Sequence, residues 1–103
     1  MRFATTARFD ADYRRLKPAE RETFRSTVRA FHDACEAWQS SKGASGWPAS
    51  LRVRPLRSAP GVWEMTWSFT GPDGRSTWEW VVTPDGPSVR WRRVGGQAIF
   101  DLP

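Results

Sequence analysis

Apolar and polar residues alternate along the second half of the chain. The alternation predicts three strands, Val62–Phe69, Arg75–Val82 and Ser88–Val94, because successive strand side chains point to opposite faces of a sheet. Two Pro-Asp-Gly tripeptides, Pro72–Gly74 and Pro84–Gly86, separate these strands. Pro sets the first turn position, Asp bonds to its own backbone and Gly supplies a positive φ. We therefore predict an antiparallel meander.

The same alternation divides the meander into an apolar face and a charged face. The apolar face, which we expect to meet the core, comprises Trp63, Met65, Trp67, Phe69, Trp78, Trp80, Val82, Val89 and Trp91. The polar face comprises Glu64, Thr66, Ser68, Arg75, Thr77, Glu79, Ser88, Arg90 and Arg92. Antiparallel sheets commonly leave one face in water, which accounts for each charge taken singly. The bias of the set toward Arg favours phosphate recognition, since a planar guanidinium matches a phosphate.

A helical period marks the first half of the chain. Pro18 suits the first position of a helix, with Glu20 and Glu22 in its first turn. Apolar residues at steps of three and four predict one stripe that packs on the apolar face of the sheet: Phe24, Val28, Phe31, Cys35 and Trp38. Within it, Cys35 is predicted to act as a small buried apolar group. His32 adjoins the stripe, and the alternatives of a structural group, a solvated group and an acid or base remain open.

The segments before the long helix are predicted from weaker patterns. Arg2–Phe9 is predicted to form a short strand. Asp10 or Asp12 is predicted to cap a short helix that runs through Leu16.

After the long helix, Gln39–Ser50 has the composition of a loop. Leu51–Leu56 is predicted to form a further strand with Arg52 and Arg54 on its polar side, where Pro55 indicates an edge position.

Length and composition fit a single domain spanning residues 1–103. Hydrophobic residues make up 39% of the 103 positions and include seven Trp, which supplies one core. The formal charge is +5, the pI is near 10.6 and Arg far outnumbers Lys. Such a balance favours a polyanionic partner, whether nucleic acid, an acidic protein or both, with general solubility as the plainer explanation.

Residue types also exclude several chemistries. With Cys35 as its single cysteine, the chain can form no intrachain disulfide and no cysteine metal cluster. The sequence contains no Gly-rich phosphate loop, no Ser/His/Asp set and no metal-ligand spacing. It also has no apolar run typical of a signal peptide or a membrane span. We expect a cytoplasmic protein that does not engage the membrane and has no metal and no cofactor.

Three segments together resemble the RelE/ParE superfamily of bacterial toxins, in particular its HigB-like (phage Gp49-like) branch. Leu51–Leu56 followed by Pro60–Glu64 is similar to the family's basic strand, short loop and "G-[IV]-[WY]-E-L-R". Gly74-Arg75 is similar to the family's Arg before an aromatic strand, and Trp91–Phe100 to its closing "R-[IV]-G-T-H-x-[IVF]-[FY]". The resemblance implies an α+β, RelE-like fold of order β-α-α-β-β-β-β. A short N-terminal strand and two helices would pack on a mainly antiparallel sheet.

The resemblance also implies a function. It is that of a type II toxin–antitoxin toxin, a ribosome-dependent mRNA endoribonuclease that inhibits translation. Its partners would be a cognate antitoxin, the ribosome and mRNA, with self-association left open. One alternative is a non-catalytic RelE-fold protein that works by binding an antitoxin-like protein. Gyrase inhibition, as in the ParE branch, would rest on fold analogy alone.

RNA cleavage needs a base for the 2′-hydroxyl, cations at the phosphate and an acid for the leaving oxygen. The resemblance assigns phosphate stabilisation to Arg75, while Glu64 or Glu79 is either the base or an ion-pair partner of an arginine. The arginines expected to bind RNA are Arg52, Arg54, Arg90, Arg92 and Arg93. The sequence departs from the family at Thr66, where the family has Arg, and at Gln97, where it has His. Gln97 can orient a substrate but cannot transfer protons near neutral pH.

Overall fold

The elements follow one another as predicted in a computed structural model that describes residues 2–68 and 73–103. In chain order they are β1 (Phe3–Thr5), α1 (Ala7–Arg15), α2 (Pro18–Ser40), β2 (Arg54–Pro55), β3 (Val62–Ser68), β4 (Gly74–Thr83) and β5 (Gly86–Gly95). Within the described residues the strands form one five-stranded sheet of order β1-β5-β4-β3-β2. Only the β1–β5 pair is parallel there. The predicted α+β fold with its β-α-α-β-β-β-β order is confirmed.

The first strand is shorter than the sequence suggested. It ends at Thr5, and Phe9 belongs to α1 instead of the strand. The predicted caps Asp10 and Asp12 are wrong, because Thr6 precedes the helix and its Oγ1 accepts a hydrogen bond from the Phe9 N–H at 3.1 Å. A threonine cap one turn earlier than expected therefore converts half of the predicted strand into helix.

The long helix α2 packs its apolar stripe on the sheet as predicted. Phe31 is fully buried, with its ring centroid 5.0 Å from that of Trp78 and 5.0 Å from that of Trp91. Cys35 is also fully buried, and burial raises the pKa of its thiol to about 12. The core therefore lies between α2 and the aromatic face of β3, β4 and β5. No helix in the described part of the chain is long and apolar enough to cross a bilayer.

The meander pairs in the expected register with one irregularity. Trp78 faces Trp63 on one side and Trp91 on the other, while Thr77 faces Arg93, so Arg92 is an extra residue in β5. The predicted core position of Val82 is wrong, since its side chain lies near the tip of the β4–β5 hairpin and is 92% exposed. Phe69 and Pro72, which the sequence assigned to the first strand and the first turn, lie outside the described residues.

The predicted strand Leu51–Leu56 is mostly not a strand. Ala49–Leu51 forms a 3₁₀ helix and Arg52 takes a left-handed conformation with φ of 47°, which leaves only β2 to pair with β3. The predicted loop is also shorter, because α2 continues through Ser40.

The end of the chain covers part of the polar face of the sheet. After the 3₁₀ helix Gln97–Asp101, the carbonyl of Pro103 accepts hydrogen bonds from Thr77 Oγ1 and Arg92 Nε, each at 3.0 Å. Thr77 is consequently buried, and Thr66 on the same face is buried as well. The polar face is therefore not an open basic surface throughout.

We expect Gly74→Ala to destabilise the protein by about 2 kcal/mol, as overpacking of a filled core does. A Cβ at this position would lie within 2.6 Å of Trp67 Cδ2 and Cζ2. Trp67 cannot move aside without breaking the hydrogen bond from its Nε1 to the Arg75 carbonyl. Urea denaturation measures the change. In the matched variant Gly96→Ala the new methyl would meet only the Asp73 carbonyl, at 4.0 Å, so it should change stability little. Equal stabilities of the two variants would contradict the packing at Gly74.

Candidate functional site

The polar face places the predicted site residues in successive cross-strand rows. Thr66, Arg75 and Gly95 face one another at one end of the sheet. The next row on this face is Arg54, Glu64, Thr77 and Arg93, and the third is Val62, Glu79 and Arg90. At about 3.3 Å per residue, Arg75 and Glu79 are about 13 Å apart along β4, whereas Glu64 lies only one row from Arg75. A single phosphate held by Arg75 is therefore nearer to Glu64 than to Glu79.

Glu79 joins two arginines of β5. Its Oε2 accepts hydrogen bonds from Arg90 Nε at 2.9 Å and from Arg92 Nη1 at 3.1 Å. Partial burial pushes the pKa of Glu79 upward, but the hydrogen bonds from Arg90 and Arg92 outweigh it and hold the pKa below its ordinary value. The side chain is therefore a charged ion-pair partner at neutral pH, consistent with one of the two interpretations of its sequence position.

Glu64 is the more buried of the two predicted carboxylates, with 8% of its side chain exposed. Its Oε1 accepts a hydrogen bond from Arg54 Nε at 2.8 Å, across the β2–β3 pair. The Arg54 side chain itself is 73% exposed, so a ligand in solution can reach the guanidinium directly. The pair therefore couples a buried carboxylate to a cation at the surface.

Arg75 is held by the two residues that precede it at the start of β4. Its Nη2 donates to Asp73 Oδ2 at 3.2 Å and its Nη1 donates to the Gly74 carbonyl at 3.3 Å. Only 18% of its side chain is exposed, which restricts the guanidinium to a defined position. This restriction suits a group that must meet one phosphate.

Arg93 binds structural partners on both sides. Its Nε and Nη2 donate to the two carboxylate oxygens of Asp12 in α1, at 2.6 and 3.2 Å, and its Nη1 donates to the Leu102 carbonyl at 2.9 Å. The hydrogen bond that Arg93 donates to Asp12 raises the pKa of Arg93 above its ordinary value. Asp12 Oδ2 also accepts the Val94 N–H at 3.2 Å, so this carboxylate ties α1 to β5.

Gln97 and Arg52 lie at the margins of the polar face. Gln97 is exposed and opens the last 3₁₀ helix directly after Gly96, which lies beside Asp73. The structure therefore brings Gln97 to the same end of the sheet as Arg75. Arg52 is exposed in the connection before β2, apart from the row that contains Arg54.

Two partners of the site arginines were missed by the sequence reasoning. Asp12 was interpreted as a helix cap, and an Asp in a short helix carries no sequence signal of burial. Asp73 was interpreted as a turn residue, although its position two residues before Arg75 was a usable signal for the ion pair. The contacts of Leu102 and Pro103 use backbone carbonyls, which any sequence provides.

No family model matches the sequence, and no curated protein matches it. The fold is similar to that of a chain in the crystal structure of the intact E. coli RelBE toxin–antitoxin complex. The two chains align with a TM-score of 0.53 over 92% of this chain and 94% of that chain, at 16% sequence identity. At this identity the likeness shows the fold alone.

We expect Glu79→Gln to cost about 1 kcal/mol of unfolding free energy at pH 7 and progressively less as the pH falls below the unfolded pKa. Because the folded pKa of Glu79 is lowered, its ion pairs stabilise the fold fully above the unfolded pKa of about 4.3. That contribution disappears as the pH falls through the lowered folded pKa. Urea denaturation at a series of pH values measures it. Glu22→Gln, in a largely exposed ion pair with Arg25, is the control and should change stability less. An equal loss at pH 3 and pH 7 would contradict the electrostatic origin.

Proposed function

We propose that this chain is a toxin of a type II toxin–antitoxin system, of the HigB-like branch, and acts as a ribosome-dependent mRNA endoribonuclease. The observation that carries the proposal is the row arrangement of arginines and carboxylates on the polar face of a RelE-like sheet. Its support from elsewhere is the fold, which is similar to that of a chain from a toxin–antitoxin complex.

In the proposed reaction, the 2′-hydroxyl of one nucleotide loses its proton to a base and attacks the adjacent phosphorus. The bond between phosphorus and the 5′-oxygen of the next nucleotide then breaks, a 2′,3′-cyclic phosphate remains, and the leaving oxygen takes a proton from water. Arg75 would stabilise the charge that develops on the phosphate oxygens, since its guanidinium is held by Asp73 and Gly74. Glu64 is the preferred base because it lies one row from Arg75, whereas Glu79 lies about 13 Å away along β4. Gln97 would orient the substrate at the same end of the sheet.

The remaining arginines would bind the RNA backbone outside the reacting nucleotide. Arg54 and Arg90 have 73% and 45% of their side chains exposed, so they can contact phosphates without rearrangement. Arg92 and Arg93 already donate to the carbonyls of Pro103 and Leu102. They would contact RNA only where the ligand replaces those carbonyls. Arg52 would extend the contact surface toward ribosomal RNA.

The alternative function is binding without catalysis, on the same scaffold and with an antitoxin-like protein as the partner. A specific observation favours it: both candidate bases are hydrogen-bonded to arginines, Glu64 to Arg54 and Glu79 to Arg90 and Arg92. For Glu79 the hydrogen bonds from these arginines lower the pKa of the carboxylate, which makes it a weaker proton acceptor. Gln97 at the family's histidine position points in the same direction.

Induced expression of the wild-type chain in a bacterial host should arrest growth and produce mRNA ends that map to the ribosomal A site. Arg75→Ala should reduce the A-site cuts at least tenfold, because the developing phosphate charge loses its held cation. Sequencing of mRNA ends in the induced cultures measures both.

The control for this experiment is Arg14→Ala, which removes the same charge from an exposed position on α1 and should leave cleavage unchanged. Full cleavage by a folded Arg75→Ala variant would remove Arg75 from the mechanism. Normal growth with intact mRNA, in cells that contain folded wild-type protein, would favour the non-catalytic alternative.

Gln97→His should separate the two functions. If the site cleaves RNA but lacks a proton donor, a histidine at the Arg75 end of the sheet supplies a group that titrates near pH 6.5 and should raise the cleavage rate at least tenfold. The rate is measured with programmed ribosomes between pH 5.5 and 8. Gln97→Asn, which cannot transfer protons, is the matched control. No gain with histidine would favour the binding function.

A further inference from the structure

An apolar groove lies on the side of the molecule away from the polar face. It has a volume of about 530 Å³ and is bounded by β1, α1, α2 and β5. Its floor is formed by the buried rings of Phe9, Phe24 and Trp91, and its walls by the partly buried Phe3 and Val28. The proposed reaction uses none of these residues.

One wall of the groove is an open sheet edge. β1 is the last strand of the sheet and pairs with β5 through Arg2 and Thr6: the Arg2 carbonyl accepts the Val89 N–H at 3.1 Å, and the Thr6 N–H donates to the Trp91 carbonyl at 3.0 Å. Backbone groups alternate in direction along a strand, so those of Phe3 and Thr5 point to the open edge. Such an edge is a template for a further strand.

The rim of the groove is more basic than acidic. Arg25 and Arg29 of α2 are exposed on one side and Asp10 of α1 on the other. Arg25 is shared with Glu22 and the Tyr13 hydroxyl at 3.1 and 3.2 Å, while Arg29 has no hydrogen bond or ion pair in the described part of the chain. The rim therefore offers an unneutralised cation above an apolar floor.

We infer that this groove binds an extended, acidic segment of the protein partner, which pairs with the open edge of β1 as an added strand. Main-chain hydrogen bonds to Phe3 and Thr5 set its register. Its alternate side chains enter the groove as apolar anchors, and its carboxylates meet Arg25 and Arg29. The inference rests on the proposed function, in which that partner is the antitoxin. It assigns the antitoxin a surface away from Arg75.

A nucleic-acid occupant fits this groove less well. The aromatic floor is packed ring against ring, with the Phe24 centroid 5.3 Å from Trp91 and 5.9 Å from Phe9, so bases have no open ring face to stack on there. Partly exposed aliphatic and aromatic walls suit the apolar side chains of a protein segment.

The test uses the purified full chain and a synthetic ten-residue peptide of alternating Glu and Val with blocked ends. Calorimetry should show binding at least tenfold tighter than that of the matched peptide with Lys in place of Glu. Arg29→Glu should weaken binding of the Glu peptide at least fivefold. Lys42→Glu makes the same charge change at an exposed position beyond the far end of α2 and should change it less than twofold.

The added strand is tested separately with Thr5→Pro. This variant removes an N–H on the open edge and spares the Arg2 and Thr6 bonds to β5, so the fold should persist while binding weakens at least fivefold. Hydrogen exchange should show protection of the Phe3 and Thr5 amides in the complex.

Any of four results in the peptide assay would overturn the inference. They are no binding of the Glu peptide at about 1 mM, equal binding of the Lys peptide, unchanged binding by a folded Thr5→Pro variant, and displacement of the peptide by an RNA oligonucleotide. A dimer of the chain itself that Thr5→Pro dissociates would assign the edge to a second copy, which also overturns it. The assay contains no ribosome, so failure here and failure of the nuclease proposal are distinguishable. Arg29→Glu expressed alone should still arrest growth.

Discussion

The contact of Phe31 with Trp78 and Trp91 determines which face of the sheet meets α2. Both ring centroids lie 5.0 Å from that of Phe31, and these three side chains are among the most buried in the described residues. Once this face is committed to the core, the period of two along β3 and β4 sends Glu64, Arg75 and Glu79 to the other side. The site geometry is therefore a consequence of aromatic packing and not of attraction among the charges.

The extra residue in β5 adapts this arrangement to the rest of the chain. Without the bulge, Arg92 would pair with one residue of β4, and the side chain of Val94 would point away from the core. With the bulge, Trp91 and Val94 both reach the core, Arg92 meets Glu79, and Arg93 reaches Asp12. A local irregularity of the sheet thus connects α1, the polar face and the C-terminal carbonyls.

Secondary structure is predicted best from the sequence where a regular hydrophobic pattern extends over many residues and is bounded by residues typical of helix or strand ends. The α2 stripe and the β4–β5 hairpin have both, and their bounds are correct within a few residues. The boundary between β1 and α1 was wrong because Ala4 to Ala7 fits either period, and only the Thr6 hydroxyl decides between them. Val82 was misplaced because alternation specifies a face, whereas burial also requires that α2 extend above it. The bulge at Arg92 and the backbone contacts of Pro103 depend on tertiary geometry that no local pattern encodes.

Among the described residues, the arginines without an ion-pair partner lie mainly on the helices, although the sheet is rich in arginine. On the polar face, guanidinium groups are largely neutralised: Arg54 by Glu64, Arg75 by Asp73, Arg90 and Arg92 by Glu79, and Arg93 by Asp12. Exposed cations without an ion-pair partner in the described part of the chain include Arg8, Arg14 and Arg29 on the helices. A polyanion that binds the polar face must therefore compete with these carboxylates for the arginines. This competition favours a ligand with several phosphates in a fixed geometry over a ligand that is attracted only by the net charge of the protein. An acidic protein segment meets less competition at Arg29, so the two surfaces select their ligands by different physical means.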